Sequence, residues 1–171
     1  DLKGNVWRFD LTNNNSANWT VKRLAILKDA GGTLQPVTTV PELAKITILG
    51  ADRRFIYVGT GQYLGDSDVA TTGTQTMYAL VDDLSNPSGI TPVIGDPARS
   101  NLQQQTLTAS GTTPPTRNAT TNTVDFVTKK GWYVDMPVSG ERLNTDPAIA
   151  LGALVFTSNI PSSDVCIPGG R

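Results

Sequence analysis

The chain has 171 residues, 14 basic and 15 acidic, for a formal net charge of -1, with 38% apolar and 17% charged residues. That length suffices for one ordinary domain with a real core. The near-neutral balance lacks the positive footprint that nucleic-acid binding requires, and no run approaches the roughly 18 apolar residues of a membrane-spanning helix. Histidine is absent and cysteine occurs once, at Cys166. The lack of His removes Ser-His-Asp and Cys-His nucleophile arrangements and most zinc sites. A lone Cys closes no internal disulfide; it is either a small buried thiol or the partner of a cysteine beyond this chain.

The 16 Gly and 11 Pro make turns frequent, and the polar remainder is rich in Thr, Asn and Ser. This composition reads as all-β with long loops. In chain order, residues 5–11 follow a turn at Lys3-Gly4-Asn5 and then alternate, with Val6, Arg8 and Asp10 on one face and Trp7, Phe9 and Leu11 on the other. An Asn-rich loop at 12–17 leads to a strand at 19–27. Further strands are expected at 37–40, 55–59, 76–81, 105–109, 123–127, 132–136 and 153–158. Short helical turns are expected at 41–45 and, after an Asp-Pro start, at 146–151. Residues 85–99, punctuated by Asn-Pro, Ser-Gly, Thr-Pro and Asp-Pro, and residues 110–122 read as loops. Three matches to the glycosylation sequon, at Asn14, Asn18 and Asn118, are of the kind that chance produces in an Asn- and Thr-rich chain.

Two strand themes recur. Asn5-Val-Trp-Arg-Phe-Asp-Leu11 is echoed 71 residues later by Thr76-Met-Tyr-Ala-Leu-Val-Asp82, each with a mid-strand aromatic and a closing Asp. Arg54-Phe-Ile-Tyr-Val-Gly-Thr-Gly61 is echoed by Ala153-Leu-Val-Phe-Thr-Ser-Asn159. Such a pair of themes is the middle of a propeller blade. The chain therefore reads as a partial β-propeller with about two blades' worth of antiparallel strands. It would open on a third strand at 5–11 with its outer strand at 19–27. A whole blade would follow (37–40, 55–59, 76–81, 105–109), then the first two strands of another. On this reading residues 1–171 are one segment of a single propeller domain, cut mid-blade at both ends. A self-contained β-sandwich of similar strand count is the alternative.

Several runs, in this order, resemble the PilC/PilY family of type IV pilus biogenesis and tip-adhesion proteins. They are Asp1-Leu-Lys-Gly-Asn-Val-Trp-Arg-Phe-Asp-Leu11, Gly59-Thr-Gly-Gln-Tyr-Leu-Gly-Asp-Ser-Asp68, Gly131-Trp-Tyr-Val-Asp-Met-Pro137, Ser139-Gly-Glu-Arg-Leu143, and Phe156-Thr-Ser-Asn-Ile-Pro-Ser-Ser-Asp164 with Cys166. The resemblance covers essentially the whole chain. It implies a carboxy-terminal, modified β-propeller exported to the Gram-negative outer membrane, cell surface or pilus tip. It further implies a non-enzymatic role: promoting pilus assembly, opposing retraction, and supporting twitching motility and attachment. The implied partners are the remaining blades of the parent chain, minor pilins at the pilus tip, and a host-cell or surface receptor.

The resemblance also implies a calcium-controlled propeller, whose loop lies upstream of the run matched by the first eleven residues and so outside this chain. Within it, the nearest candidate for calcium is the pair Asp66 and Asp68, two carboxylates at i and i+2 in a Gly-flanked turn. Calcium takes 6–8 oxygens, so other loops would supply most of them. The alternative is a solvated turn whose Asp side chains accept from nearby backbone N–H groups. Asp82 and Asp83 are adjacent at a strand end and point apart. Asp135 and Glu141 flank the turn Pro137-Val-Ser-Gly140 and would suit a glycosidase only if held roughly 5–10 Å apart in a cleft; salt bridging, with Glu141 near Arg142 or Lys130, is the plainer expectation. A quinone-dependent dehydrogenase fragment is the alternative function. It needs a stacked Trp floor, whereas Trp7, Trp19 and Trp132 sit in strand patterns that suit a core. A structural blade pack of another secreted protein is the third reading.

Overall fold

The computed structural model describes residues 1–85, 87–110 and 116–162. Cys166 lies outside them. The chain is all-β, and its sheets do not close into a barrel. Its strands are β1 (Asn5–Asp10), β2 (Thr20–Ile26), β3 (Glu42–Ile48), β4 (Ala51–Gly59), β5 (Thr76–Asp82), β6 (Gln103–Gln105), β7 (Leu107–Ser110), β8 (Thr116–Ala119), β9 (Gly131–Asp135), β10 (Ala148–Ala150) and β11 (Ala153–Val155). One sheet has the order β3-β4-β5-β9-β6, and three hairpins, β1-β2, β7-β8 and β10-β11, surround it. Strands β3, β4, β5 and β9 are antiparallel; β6 joins parallel at the edge.

Packing on both faces explains why the central strand is an unbroken apolar run rather than an alternating one. All seven residues of β5 are buried. Tyr78 and Leu80, with Ile56 and Val58 of β4, meet Val6, Leu24, Ala25 and Leu27 of the β1-β2 region. On the opposite face Phe55, Tyr57, Ala79 and Val81 meet Phe126, Trp132 and Leu154. That second face continues through Met77, Val134, Met136 and Leu143 to Leu107 and Phe156. A strand covered on both faces needs no polar side and carries none in its interior.

Turn chemistry fixes the registers. The β3-β4 turn is Leu49-Gly50, both at positive φ (53° and 75°), and joins Ile48 directly to Ala51. Two left-handed residues make the type I′ turn whose twist matches the strands. Gly131 has a different reason to be glycine: φ is 124°, and a Cβ there would stand 1.9 Å from the Ala79 carbonyl oxygen. Only a bare Cα lets β9 approach β5 this closely.

Several expected elements differ from those observed. Residues 41–45, expected as a helical turn, begin β3, while 37–40 keeps only a bridge from Val37 to Gly61. The cause is the long ladder with β4, from Glu42↔Tyr57 to Ile48↔Ala51, which overrides the weak local preference of a segment containing Glu, Ala and Lys. Residues 146–151, also expected as a helical turn, hold β10 and its hairpin turn. The expected strand at 105–109 splits at Thr106 into β6 and β7, and the expected loop at 110–122 supplies β8, partner of β7. At 123–127 there is a turn in place of a strand, closed by Val127 N and Thr128 Oγ1 donating to the Asp125 carboxylate. Residues 132–136 do not start a new blade: β9 pairs with β5, Tyr78↔Tyr133, and takes the outer position expected of 105–109.

Candidate interaction surface

The charged groups that sequence reading set aside as possible chemistry are tied into structural contacts. At one end of the sheet Arg99 donates from Nη2 and Nη1 to the Asp135 carboxylate at 2.9 and 3.2 Å and from Nε to the Lys28 carbonyl. Its guanidinium lies over the Tyr133 ring, 4.5 Å from the centroid. Thr76 Oγ1 donates to Asp135 at 2.6 Å, Gln35 Nε2 donates to Thr76 Oγ1, and the Tyr78 hydroxyl donates to Gln35 Oε1. Burial pushes the Tyr78 phenol up to about 12. Burial alone would lower Arg99, but the Asp135 hydrogen bonds hold it above its ordinary value.

Glu141 has a separate set of partners. It is fully buried and accepts both Arg117 Nη1 and Nη2, at 2.5 and 3.0 Å, together with the Ser158 hydroxyl. The salt bridge expected with Arg142 or Lys130 is therefore made by Arg117 on β8, because the β7-β8 hairpin folds over this turn. Lys130 instead reaches Asp83, at 2.6 Å. Burial would raise the Asp83 carboxyl, but bonds from Lys130 and Ser85 hold it well below the usual range. Asp82, its neighbour, accepts from Arg8 of β1 at 2.6 Å and ties the hairpin to the sheet.

The loop between β4 and β5 is the best-organised irregular segment. Arg142 is buried, and its guanidinium donates to the carbonyls of Gln62, Asp68, Thr71 and Gly140. Burial pushes it below its ordinary value, opposed by the Asp68 carboxylate. Asp66 and Asp68 occupy a 3-10 turn in this loop. Asp68 is buried and accepts from Leu64 N at 2.8 Å and Gln62 Nε2 at 2.6 Å, bonds that lower its carboxyl. Asp66 is exposed. Among the described residues no group of three or more His, Cys, Asp or Glu stands ready to hold a metal ion. The loop presents Tyr63 and Leu64 to solvent.

The apolar surface lies on the first hairpin. Trp7 pairs with Arg23 and Phe9 with Val21 across β1-β2, so the four share its outer side. Trp7 is 36% exposed, Phe9 65% and Trp19 49%, so the core place expected for Trp7 and Trp19 is not observed; among the described residues no neighbouring layer covers that side. Arg23 stacks over the Trp7 ring at 5.5 Å. Trp132, on β9, projects from the opposite face of the five-stranded sheet beside Tyr57. Beside β1 runs a groove of about 600 Å³ between Val6, Arg8 and Phe9 on one wall and Pro41, Leu43 and Ile56 on the other. Strand periodicity had shown which residues share a face. It carried no signal for Arg99, Arg117 and Arg142, whose importance comes from long-range partners.

Taken together, four antiparallel strands with a parallel fifth at the edge, packed on both faces, and a hairpin of the same pattern stacked upon them define a blade array of the propeller class. Residues 1–117 match the family described as the PilY1 beta-propeller domain, and the chain belongs to that family. A type IV pilus biogenesis factor PilY1 homolog of Xylella fastidiosa is 30% identical over 99% of this chain and 12% of its own length. The type IV pilus biogenesis factor PilY1 of Pseudomonas aeruginosa is 29% identical over 99% of this chain and 18% of its own. The chain thus spans less than a fifth of these relatives. The crystal structure of the Pseudomonas aeruginosa PilY1 C-terminal domain shares the fold, with a TM-score of 0.73 and 24% identity over 92% of this chain and 39% of that one.

Proposed function

We propose that this chain is a piece of a longer exported protein, an arc of blades in one propeller, that serves type IV pilus biogenesis without bond chemistry. The observation that carries the reading is the match, along 99% of the chain, to relatives named type IV pilus biogenesis factors. The hydrogen-bonded loops on a two-faced sheet support it, since rigid scaffolds with long polar loops suit recognition. On this reading the full-length protein sits at the pilus tip or outer surface of a Gram-negative cell. There it contacts minor pilins and a surface receptor, promotes assembly against retraction, and supports twitching and attachment. On this reading the calcium that the resemblance implies belongs to the full-length protein and is bound outside residues 1–171; the bonds that Asp68 already accepts from Leu64 and Gln62 support that reading. Deleting the parent gene is expected to reduce surface pili, twitching and attachment. Normal values for all three in the deletion strain contradict the proposal.

A further inference from the structure

We propose that Thr76 and Gln35 join covalently: the Thr76 hydroxyl attacks the Gln35 carboxamide, ammonia leaves, and an ester ties the segment after the β1-β2 hairpin to the five-stranded sheet. The inference goes beyond the pilus reading and does not depend on it. It is one self-modification per molecule, not turnover on a substrate.

Four observations carry it. First, nucleophile and electrophile touch and are shut away from water. Thr76 is 0% exposed and Gln35 1%, and Gln35 Nε2 stands 2.8 Å from Thr76 Oγ1. The carboxamide carbon is one bond further on, and rotation about the soft terminal torsion of Gln35 turns its face to Oγ1. Second, a base is in place. Thr76 Oγ1 donates to Asp135 Oδ1 at 2.6 Å, a distance suited to proton transfer, and Arg99 holds that carboxylate from both Nη atoms. A hydroxyl, an adjacent base and a group that orients the base form the arrangement that activates a nucleophile.

Third, the oxygen that becomes the oxyanion already has a donor. The Tyr78 hydroxyl donates to Gln35 Oε1 at 2.6 Å, shorter than its 3.1 Å contact with the Lys28 carbonyl. This phenol, pushed up to about 12 by burial, keeps its proton at neutral pH and stabilises charge as it develops. Fourth, the leaving nitrogen is held and has a way out. Gln35 Nε2 donates to the Thr74 carbonyl at 2.7 Å, and a pocket of about 270 Å³ is lined by Leu34, Pro36, Gly73 and Gln75, chain neighbours of the reacting residues.

The step balances. The Thr76 O–H and Gln35 Cδ–Nε2 bonds break, the Oγ1–Cδ bond forms, and the proton passes through Asp135 to the departing nitrogen. Nothing is oxidised or reduced, and loss of ammonia to solvent drives the exchange. The product ester is as buried as the groups that form it, which keeps water from hydrolysing it. It closes the loop between residues 35 and 76, which contains β3 and β4. That is the restraint a disulfide gives, in a chain with one Cys.

The test is peptide mapping by mass spectrometry of the folded full-length protein. Trypsin cuts so as to release residues 29–45 and 55–99 as separate peptides. The expected result is one joined species, lighter than their sum by one ammonia, that alkaline hydroxylamine separates. Thr76→Val is expected to abolish the link and Thr76→Ser to keep it. Asp135→Asn is expected to lower its yield at least about tenfold. Circular dichroism checks that each variant is folded, and the unsubstituted protein decides alone where one is not. Separate peptides of full sequence mass from that protein overturn the proposal. So do a link that survives in Thr76→Val, one that hydroxylamine leaves intact, and an undiminished yield in folded Asp135→Asn.

Discussion

Strands β1 and β5 carry the same theme and have opposite fates. Every residue of β5 is buried; in β1 only Val6 is. Both have aromatic residues mid-strand, yet Tyr78 is wholly buried while Phe9 is 65% exposed. The difference comes from neighbours: among the described residues β5 has a strand on each edge and a packed layer on each face, and β1 has one of each. Similar sequence therefore predicts strand type and facing, while burial depends on what the rest of the fold supplies.

The largest expected effect breaks this comparison directly. Tyr78→Ala removes a buried ring and a hydrogen-bond link, and should cost about 3–5 kcal/mol in urea unfolding. Phe9→Ser should stay within about 0.5 kcal/mol. Equal costs would mean that β1 is covered in solution. Next comes Arg117→Ala, which strands the fully buried Glu141 carboxylate and should cost about 3 kcal/mol. An unchanged unfolding midpoint would show that the β7-β8 hairpin does not seal that turn.

A smaller effect is set by pH. The folded Tyr78 phenol is raised to about 12, above its unfolded value near 10. Its neutral form is the one the fold favours, so its contribution is fully present below pH 10 and lost as pH rises toward 12. The loss should be roughly 2–3 kcal/mol, and Tyr78→Phe should remove it from the pH profile. An identical alkaline slope in that variant would place the titrating group elsewhere. The smallest effect concerns Asp66 and Asp68. With Asp68 engaged by Leu64 and Gln62, calcium should leave the melting temperature unchanged and Asp66→Ala should be silent. A calcium-dependent rise that Asp66→Ala removes would establish a cation site in this loop.

Much of the sheet was legible in the residues. The alternation of residues 5–11 gave β1 and its faces, and the run Thr76-Met-Tyr-Ala-Leu-Val-Asp82 marked a strand, whose burial on both faces comes from the layers packed on it. What failed was non-local. Residues 42–45 have no strong strand composition and owe their form to the β4 ladder. The pairing of β9 with β5 spans an excursion containing β6, β7 and β8, which no local pattern reveals. The salt-bridge partners of the candidate groups were hidden for a similar reason. Asp135 and Glu141 are near in sequence but are claimed by Arg99 and Arg117, two arginines in loop-like stretches with no periodic signature.

Native-state hydrogen exchange on the 171-residue chain, resolved at single amides, tests the contrast most directly. The fold predicts that β5 amides exchange only through global unfolding, while β1 amides exchange orders of magnitude faster through local opening. Equal protection of the two strands would contradict it.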